Sequence, residues 1–318
     1  MAIAVEFSRA SIRFPTSGHI WVPGSSARAA AAGLSMHSPC TAPAVLAHRL
    51  LFGAVRIVGA RVLPGERASW PDPIDPDSWR ECVRDWQELV GAWDSVALYQ
   101  RPQQGRSGFS VLLLREGRGV GFVRVSPDHE RAAHEFAVLE GLQRAEPESF
   151  TAARPLGFGT VDGYSWVASA SVPNYPLGAV RQRAVRLRVI EEIGDVLETV
   201  LTHTAGQPTG WRGAHGDASP WNLRTDLLGR VIVIDWEDAG FAPAGADLLY
   251  ADLTAQLTFR GQRAASSSPE AAEWVRALLS ARRVDGEGAD SINNRLLTAL
   301  DAIPVQRGQA TQQEADQL

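Results

Sequence analysis

The sequence predicts an α+β protein, in which a small antiparallel β region with one helix precedes a larger and mainly helical region. Three strand-like runs, SVALYQR, GFSVLLLRE and GVGFVRV, follow one another from residue 95. The short polar segments between them are typical of hairpins. After Gly178 the apolar residues recur at helical spacing, most clearly over residues 180–203. The change of period separates the two regions.

We divide the chain into four segments. Residues 1–92 form an N-terminal extension and linker of unclear role, and 93–172 form the small β region. Residues 173–303 form the helical region, and 304–318 form a polar tail that we expect to be frayed.

Local signals place individual helices and turns. Within the extension, helices are expected near the alanine-rich stretch after residue 24 and over 43–58. Another begins at Ser78, where Ser78 and Glu81 form a capping box after a linker rich in Pro and Asp. Ser126 is expected to cap the helix that follows the third strand. Asp162-Gly163 predicts a hairpin turn.

Composition excludes several classes of protein. The chain has 31 basic and 36 acidic residues, a net charge of −5 and no lysine, so a general nucleic-acid binder is not expected. Two cysteines, Cys40 and Cys82, make neither a disulfide framework nor a zinc site. The N-terminus lacks the features of a signal peptide, and charged residues interrupt the most apolar segment, 42–63. We therefore expect a cytoplasmic protein with no nucleic-acid or membrane partner.

One stretch between Ala214 and Gly240 has the pattern of a phosphoryl-transfer site. A His-Gly-Asp triplet ends at Asp217, Asn222 follows five residues later, and the apolar run RVIVID ends at Asp235. Phosphoryl transfer needs a carboxylate to accept the proton of the attacking hydroxyl, and hard oxygen ligands for Mg²⁺. An Asp-x4-Asn loop followed by an Asp at the end of a strand is the arrangement of kinase-like enzymes.

The same stretch, HGDASPWNL…VIVIDWEDAGFAPAGADLLYADL, resembles the aminoglycoside phosphotransferase family. The resemblance implies a protein-kinase-like fold of two lobes and an acceptor that is a hydroxyl group of a small molecule. It also implies Mg²⁺ and ATP or GTP as phosphoryl donor. Asp217 would be the catalytic base and His215 would brace its loop. Asn222 and Asp235 would bind the metal, and Asp247 would cap a helix.

The small β region supplies the nucleotide-binding residues that the resemblance implies. Arg124 fills the strand position where kinase-like enzymes place a lysine, and Glu135 is the expected helix partner. The loop PQQGRSG, with Gly105 and Gly108, would lie over the phosphates, although it is not a Gly-x-Gly-x-x-Gly loop. The connector Ala168–Ser171 would hold the nucleotide base through backbone groups.

Two other hypotheses about the function remain open at this point. The arginine in the lysine position and the poor glycine loop favour a pseudokinase that binds a nucleotide or a partner without turnover. A hydrolytic metal centre formed by His203, His215, Asp217 and Asp235 would be sparse in histidine for a zinc site.

Overall fold

The structure is a computed structural model. It describes residues 11–15, 19–37, 39, 41–67, 76–100, 108–203, 207–259, 261–262, 264–282 and 291–304. Gly105, Cys40, most of the expected Pro/Asp-rich linker and nearly all of the expected polar tail lie outside these residues.

The chain forms two compact units. The first comprises Met1–Val180 and Trp221–Asp238, and the second comprises Arg181–Pro220 and Ala239–Leu318. This division differs from the predicted boundaries at 92/93 and 172/173, and the functional reading of those segments stays a prediction. The segment that carries Asn222 and Asp235 belongs to the first unit, and not to the mainly helical one.

Fourteen strands occur in the part of the chain that the structure describes. They are β1 (Ser11–Phe14), β2 (Ile20–Pro23), β3 (Glu66–Arg67), β4 (Ser95–Gln100), β5 (Phe109–Arg115), β6 (Arg118–Ser126), β7 (Thr151–Ala152), β8 (Pro155–Val161), β9 (Tyr164–Ser169), β10 (Gly178–Ala179), β11 (Trp211–Ala214), β12 (Leu223–Thr225), β13 (Val231–Val233) and β14 (Gly240–Pro243).

Eight α-helices occur in the same described ranges. They are α1 (Ala27–Leu34), α2 (Ala42–Val58), α3 (Pro76–Val90), α4 (His129–Ala145), α5 (Arg183–Val200), α6 (Ala246–Thr258), α7 (Pro269–Ala281) and α8 (Ile292–Asp301). Short 3₁₀ turns cover Ala60–Val62 and Trp236–Asp238.

The main sheet of the first unit has eight strands in the order β3-β1-β2-β4-β5-β6-β9-β8. Neighbouring strands in this sheet pair in the antiparallel direction, which confirms the predicted α+β class with an antiparallel sheet. Strands β1 and β2 extend this sheet beyond β4, so part of the N-terminal extension belongs to the same sheet as the predicted meander. The sequence did not reveal this, because each of these strands has only four residues.

A smaller sheet in the first unit explains why Asn222 and Asp235 belong there. Strands β12 and β13 form an antiparallel hairpin, and β13 pairs in parallel with β7, which follows α4. Strand β10 pairs with the other edge of β12. The hairpin is therefore hydrogen-bonded to β7 on one edge and to β10 on the other, and both of these strands belong to the segment Met1–Val180 of the first unit.

Two predicted helix starts are wrong. Helix α3 begins at Pro76, so Ser78 lies inside it; proline suits the first turn of a helix because that turn needs no N–H donor. Asp128 caps α4 by accepting from the N–H of Arg131 (3.0 Å). Ser126 is the last residue of β6, and its hydroxyl accepts from the N–H of Asp128 instead.

The predicted hairpin turn is present between β8 and β9. Val161 pairs with Tyr164, and both turn residues have positive φ, 47° for Asp162 and 75° for Gly163. This is the backbone that Asp-Gly favours in two-residue hairpins.

The second unit consists of α5 to α8 with the two-stranded sheet β11-β14. Its core is formed by apolar residues of α6, α7 and α8, together with Ala214 of β11 and Ala242 of β14. A search of the described residues finds no helix that is both long enough and apolar enough to cross a membrane.

Candidate active site

Arg124 of β6 is the centre of a cluster of carboxylates in the first unit. Its Nη1 lies 3.1 Å from Oε2 of Glu135 on α4 and 2.9 Å from Oε2 of Glu237, and its Nη2 contacts Oδ1 of Asp235. Burial alone would lower the pKa of Arg124, but the charges of the three carboxylates raise this pKa well above its ordinary value. The guanidinium is therefore a fixed cation.

A second arginine extends this cluster along α4. Nη2 of Arg131 contacts Oδ1 of Asp238, and its Nε lies 3.5 Å from Oε2 of Glu237. Two arginines thus face four carboxylates, those of Glu135, Asp235, Glu237 and Asp238. The cluster ties the 3₁₀ turn Trp236–Asp238 to β6 and α4 within one unit.

The hairpin β12-β13 brings Asn222 and Asp235 to the same end of two paired strands. Leu223 pairs with Val233, and the N–H of Ile234 donates to the carbonyl of Asn222 at 3.2 Å. Asn222 is buried, whereas the side chain of Asp235 is 20% exposed. Asn222 lies one residue before β12, and Asp235 lies two residues after β13. The two predicted metal ligands are therefore at the same end of the hairpin.

Asp235 adopts a backbone conformation that is uncommon for its residue type, with φ of 71°. The other described non-glycine residues with positive φ are Glu116 and Asp162 in hairpin turns and Glu146 at the end of α4. Asp235 occupies neither kind of position. Strain of this sort is concentrated at functional sites, so it supports a functional reading of Asp235.

The donor set of Asn222 and Asp235 suits Mg²⁺. An amide oxygen and a carboxylate oxygen are hard ligands, and Mg²⁺ shared with nucleotide phosphates needs only one or two protein carboxylates. One oxygen of Asp235 is already in contact with Arg124. A cation at this carboxylate would therefore share it with a guanidinium.

The His-Gly-Asp loop belongs to the second unit and is held by Asp247. Oδ2 of Asp247 accepts from the N–H of His215 (2.5 Å), and Oδ1 accepts from the N–H of Gly216 (3.0 Å). Gly216 has φ of 78°, a conformation that favours glycine. Burial raises the pKa of Asp247, although the charge of His215 and the two N–H donors oppose the rise.

This contact corrects the predicted role of Asp247. Helix α6 is preceded by Gly245 at its N-cap, and Asp247 lies in the first turn. Its carboxylate reaches the loop instead of capping the helix, because two consecutive loop N–H groups are turned toward it.

The side chain of His215 contacts the backbone of Asp217. His215 is fully buried, and its Nδ1 accepts from the N–H of Asp217 at 3.2 Å. This geometry agrees with a bracing role for His215, while the role itself stays a prediction.

Arg282, at the end of α7, contacts the loop at two residues and also contacts Tyr250 of α6. Its Nη1 lies 3.4 Å from Oδ1 of Asp217 and donates to the hydroxyl of Tyr250 at 2.9 Å. Its Nη2 donates to the carbonyl of Gly216 at 3.0 Å. The guanidinium also stacks over the ring of Tyr250, 5.5 Å from its centroid. The carboxylate of Asp217 is thus paired with a positioned cation.

Only Gly108 of the glycine loop lies within the described residues, whereas the connector is described in full. Gly108 has φ of 136°, and a Cβ there would overlap the carbonyl of Val125 across the sheet, so its close approach to β6 already explains the glycine. After the connector Ala168–Ser171, Oδ1 of Asn174 accepts from the N–H of Gly119 at 2.6 Å. That bond ties the connector to the start of β6.

Sequence reasoning missed four charged residues of these clusters, namely Arg131, Glu237, Asp238 and Arg282. Glu237 and Asp238 follow Asp235 by two and three residues in the motif. Their charge so close to Asp235 was the signal that could have identified them. Arg282 had no local signal, since it lies 65 residues after Asp217.

The hydrolytic metal centre gains no support. Within the described ranges no three His, Cys, Asp or Glu side chains are grouped to hold a metal ion.

Comparison with known proteins identifies the family. The model of the phosphotransferase enzyme family matches residues 26–288, which is most of the chain. The chain belongs to this phosphotransferase family. The resemblance seen in the His-Gly-Asp stretch is thereby confirmed, and the family match begins well inside the predicted extension. No curated protein sequence matches this phosphotransferase-family chain.

Several solved structures are similar to this phosphotransferase-family chain at low sequence identity. A spectinomycin phosphotransferase in complex with ADP and spectinomycin has 9% identity and a TM-score of 0.46, with 70% of this chain and 97% of that chain covered. An amicoumacin kinase with AMP-PNP and Ca²⁺ has 9% identity and a TM-score of 0.44, with 71% and 84% covered. A microcompartment-associated aminopropanol kinase has 12% identity and a TM-score of 0.38, with 70% and 94% covered.

Proposed function

We propose that this protein transfers the γ-phosphoryl group of a magnesium nucleotide, ATP or GTP, to a hydroxyl group of a small molecule. Sugars, aminoglycoside-like compounds and amino alcohols are the acceptor classes to test. The observation that carries the proposal is the pairing of Arg124 with Glu135 and Asp235. It holds a fixed cation next to the expected metal-binding carboxylate, in a chain of the phosphotransferase family.

In the proposed reaction the acceptor oxygen forms a bond to the γ-phosphorus while the bond to the β–γ bridging oxygen breaks. The nucleoside diphosphate leaves, and the hydroxyl proton passes to the carboxylate of Asp217. Arg282 helps to position this carboxylate, since its Nη1 lies 3.4 Å from Oδ1 of Asp217. His215 and Asp247 hold the backbone of the loop.

Arg124 is the proposed phosphate-binding residue. A guanidinium can donate two parallel hydrogen bonds to a phosphate, so it can replace a lysine at this position, although with different geometry. Bound Mg²⁺ neutralises phosphate charge, and Asn222 and Asp235 are its proposed protein ligands. Glu135 orients Arg124. Gly105 and Gly108 are proposed to lie near the phosphates.

The proposal is tested by screening hydroxylated metabolites for phosphorylation by the pure protein with Mg-ATP and Mg-GTP. Thermal unfolding with each magnesium nucleotide gives a measurement that needs no acceptor, since a ligand that binds the folded state raises the melting temperature. If neither nucleotide at millimolar concentration shifts the melting temperature, the proposal is wrong.

A pseudokinase is the second candidate, favoured by the arginine at position 124. Under this reading the protein binds nucleotide but transfers no phosphate. Turnover of any acceptor by the wild type excludes it. An inactive wild type that gains turnover on Arg124→Lys supports it.

A further inference from the structure

Helix α2 in the first unit has an exposed face that is apolar. Leu46, Leu50 and Ile57 lie within about 40° of one another around the helix axis at 3.6 residues per turn, and they are 61%, 68% and 83% exposed. We call these three residues the α2 apolar face. The opposite side of the helix packs inward through His48 and Val55, and Nε2 of His48 bonds to the carbonyl of Leu34 at 3.0 Å.

Exposed apolar residues are concentrated at this helix. Five of the eight large apolar side chains that are exposed in the described ranges lie between residues 46 and 62. Soluble proteins rarely expose several large apolar side chains together, so the α2 apolar face indicates a surface that another body covers.

The charge of the surrounding segment identifies the kind of partner. Residues 7–65 contain six arginines and no aspartate or glutamate, although the chain as a whole carries a net charge of −5. Arg49 and Arg56 are exposed and lie two turns apart on one flank of the α2 apolar face. A helix with an apolar face and basic residues beside it has the pattern of a helix that lies in the interface of an anionic membrane.

We propose that the α2 apolar face docks on an anionic phospholipid surface, with Arg49 and Arg56 at the headgroups. The residues His48, Arg49 and Arg56, which prevent this segment from spanning a bilayer, suit a helix that lies along its surface. Composition alone had led us to expect no membrane partner.

Two other partners fit the same surface less well. A symmetric pair of copies packed through α2 would bring Arg49 and Arg56 close to the same arginines of the second copy, with no acidic residue between Glu6 and Glu66 to offset them. A nucleic acid would need basic side chains along the middle of the face, where this helix has leucine and isoleucine.

The test is co-sedimentation of the full chain with vesicles of phosphatidylcholine alone or mixed with phosphatidylglycerol. We expect binding to the mixed vesicles only, and loss of binding as salt concentration rises. The double variant Arg49→Gln/Arg56→Gln should lower the partition coefficient by about 25-fold, at roughly fivefold per arginine. The triple variant Leu46→Gln/Leu50→Gln/Ile57→Gln should lower it by at least about tenfold.

Matched controls lie elsewhere in the first unit. Leu227→Gln/Leu228→Gln changes two exposed leucines in the β12-β13 turn, and Arg80→Gln/Arg84→Gln changes two exposed arginines on α3. Both should bind as the wild type does. All variants are first checked for an unchanged melting temperature, which we expect because the altered side chains are exposed.

Four results would overturn the proposal. The first is no binding to mixed vesicles, and the second is equal binding to neutral and mixed vesicles. The third is a dimer, seen by sedimentation velocity without lipid, that the triple variant abolishes. That result would show that a second copy covers the face. Equal loss in the control variants would likewise contradict a specific role for α2.

Discussion

Nη1 of Arg124 on β6 lies 3.1 Å from Oε2 of Glu135 on α4, and both side chains are at most 13% exposed. This pair joins the third strand of the predicted meander to the helix that follows it. A buried cation of this kind is stable only because carboxylates surround it. Under the proposed function, stability and nucleotide binding therefore both depend on the same guanidinium.

Replacing Arg124 should therefore lower the free energy of unfolding, by an amount that depends on the residue that replaces it. Arg124→Met removes the cation from the buried carboxylates of Glu135 and Glu237 and from the partly exposed one of Asp235, and it should lower the free energy of unfolding by about 3–5 kcal/mol. Arg124→Lys keeps the charge, but one ammonium cannot reproduce the fork that contacts Glu135 and Asp235, so its loss should be smaller. Denaturant unfolding measures both. Arg118→Met, at an exposed position of the same strand, is the control; an equal loss there would contradict the assignment.

Asp235→Asn should weaken binding of the magnesium nucleotide. The change removes a charged ligand while keeping a residue type that tolerates positive φ. Calorimetric titration with Mg-ATP and Mg-GTP measures the dissociation constant.

Asp162→Asn is the matched control for Asp235→Asn, since Asp162 is exposed and also has positive φ. It should bind nucleotide as the wild type does. If the two variants had the same affinity, Asp235 would not be a metal ligand.

Arg282→Met should reduce kcat more than it changes nucleotide affinity. The change removes the hydrogen bond from the guanidinium to the carbonyl of Gly216, and a hydrogen bond that involves a charged group contributes about 1.5–3 kcal/mol, which corresponds to a loss of tenfold or more. Arg282→Lys should restore part of the rate, because it keeps a cation near Asp217. Arg276→Met, on the exposed side of α7, is the control and should retain full kcat. Unchanged kcat in Arg282→Met would leave Arg282 with a structural role only.

His48 should make the first unit sensitive to acid. Burial lowers the pKa of His48 from its ordinary value of 6.5, with Arg224 and Arg49 acting in the same direction and the bond to Leu34 opposing them. Below pH 6.5 the unfolded chain binds a proton that the folded chain does not, so stability falls as the pH falls. Denaturant unfolding at neutral and mildly acidic pH should show a smaller fall in His48→Gln than in the wild type.

The exposed His203 is the control for this experiment. His203→Gln should lose stability with acid as the wild type does. A His48→Gln protein whose stability falls just as steeply as that of the wild type would contradict the prediction.

Local chemistry explains which parts of the structure could be predicted. The Asp162-Gly163 hairpin and the long helix α5 follow from turn residues and apolar spacing within the segment itself. Glu135 was found because it lies on the helix directly after the strand of Arg124. Such short-range features are encoded by neighbouring residues.

The remaining features depend on contacts between distant residues. Strands β1 and β2 carry too few residues to show a period, and their place beside β4 follows only from pairing across the sheet. The family resemblance implied that Asp247 caps α6, but its carboxylate instead accepts from the N–H groups of His215 and Gly216, which are about 30 residues away in sequence. Arg282 reaches Asp217 across a long separation in sequence, which no local pattern reports.

Asp217→Asn is the most direct test of the central claim, which is that Asp217 accepts the proton of the attacking hydroxyl. Turnover of an acceptor found by the metabolite screen, and the dissociation constant of the magnesium nucleotide, are measured for this variant and for Asp195→Asn, an exposed control in the same unit. We predict that turnover of Asp217→Asn falls by about 10²–10⁴-fold, the usual loss of a general base, while nucleotide affinity is unchanged. Full turnover in Asp217→Asn would contradict the mechanism.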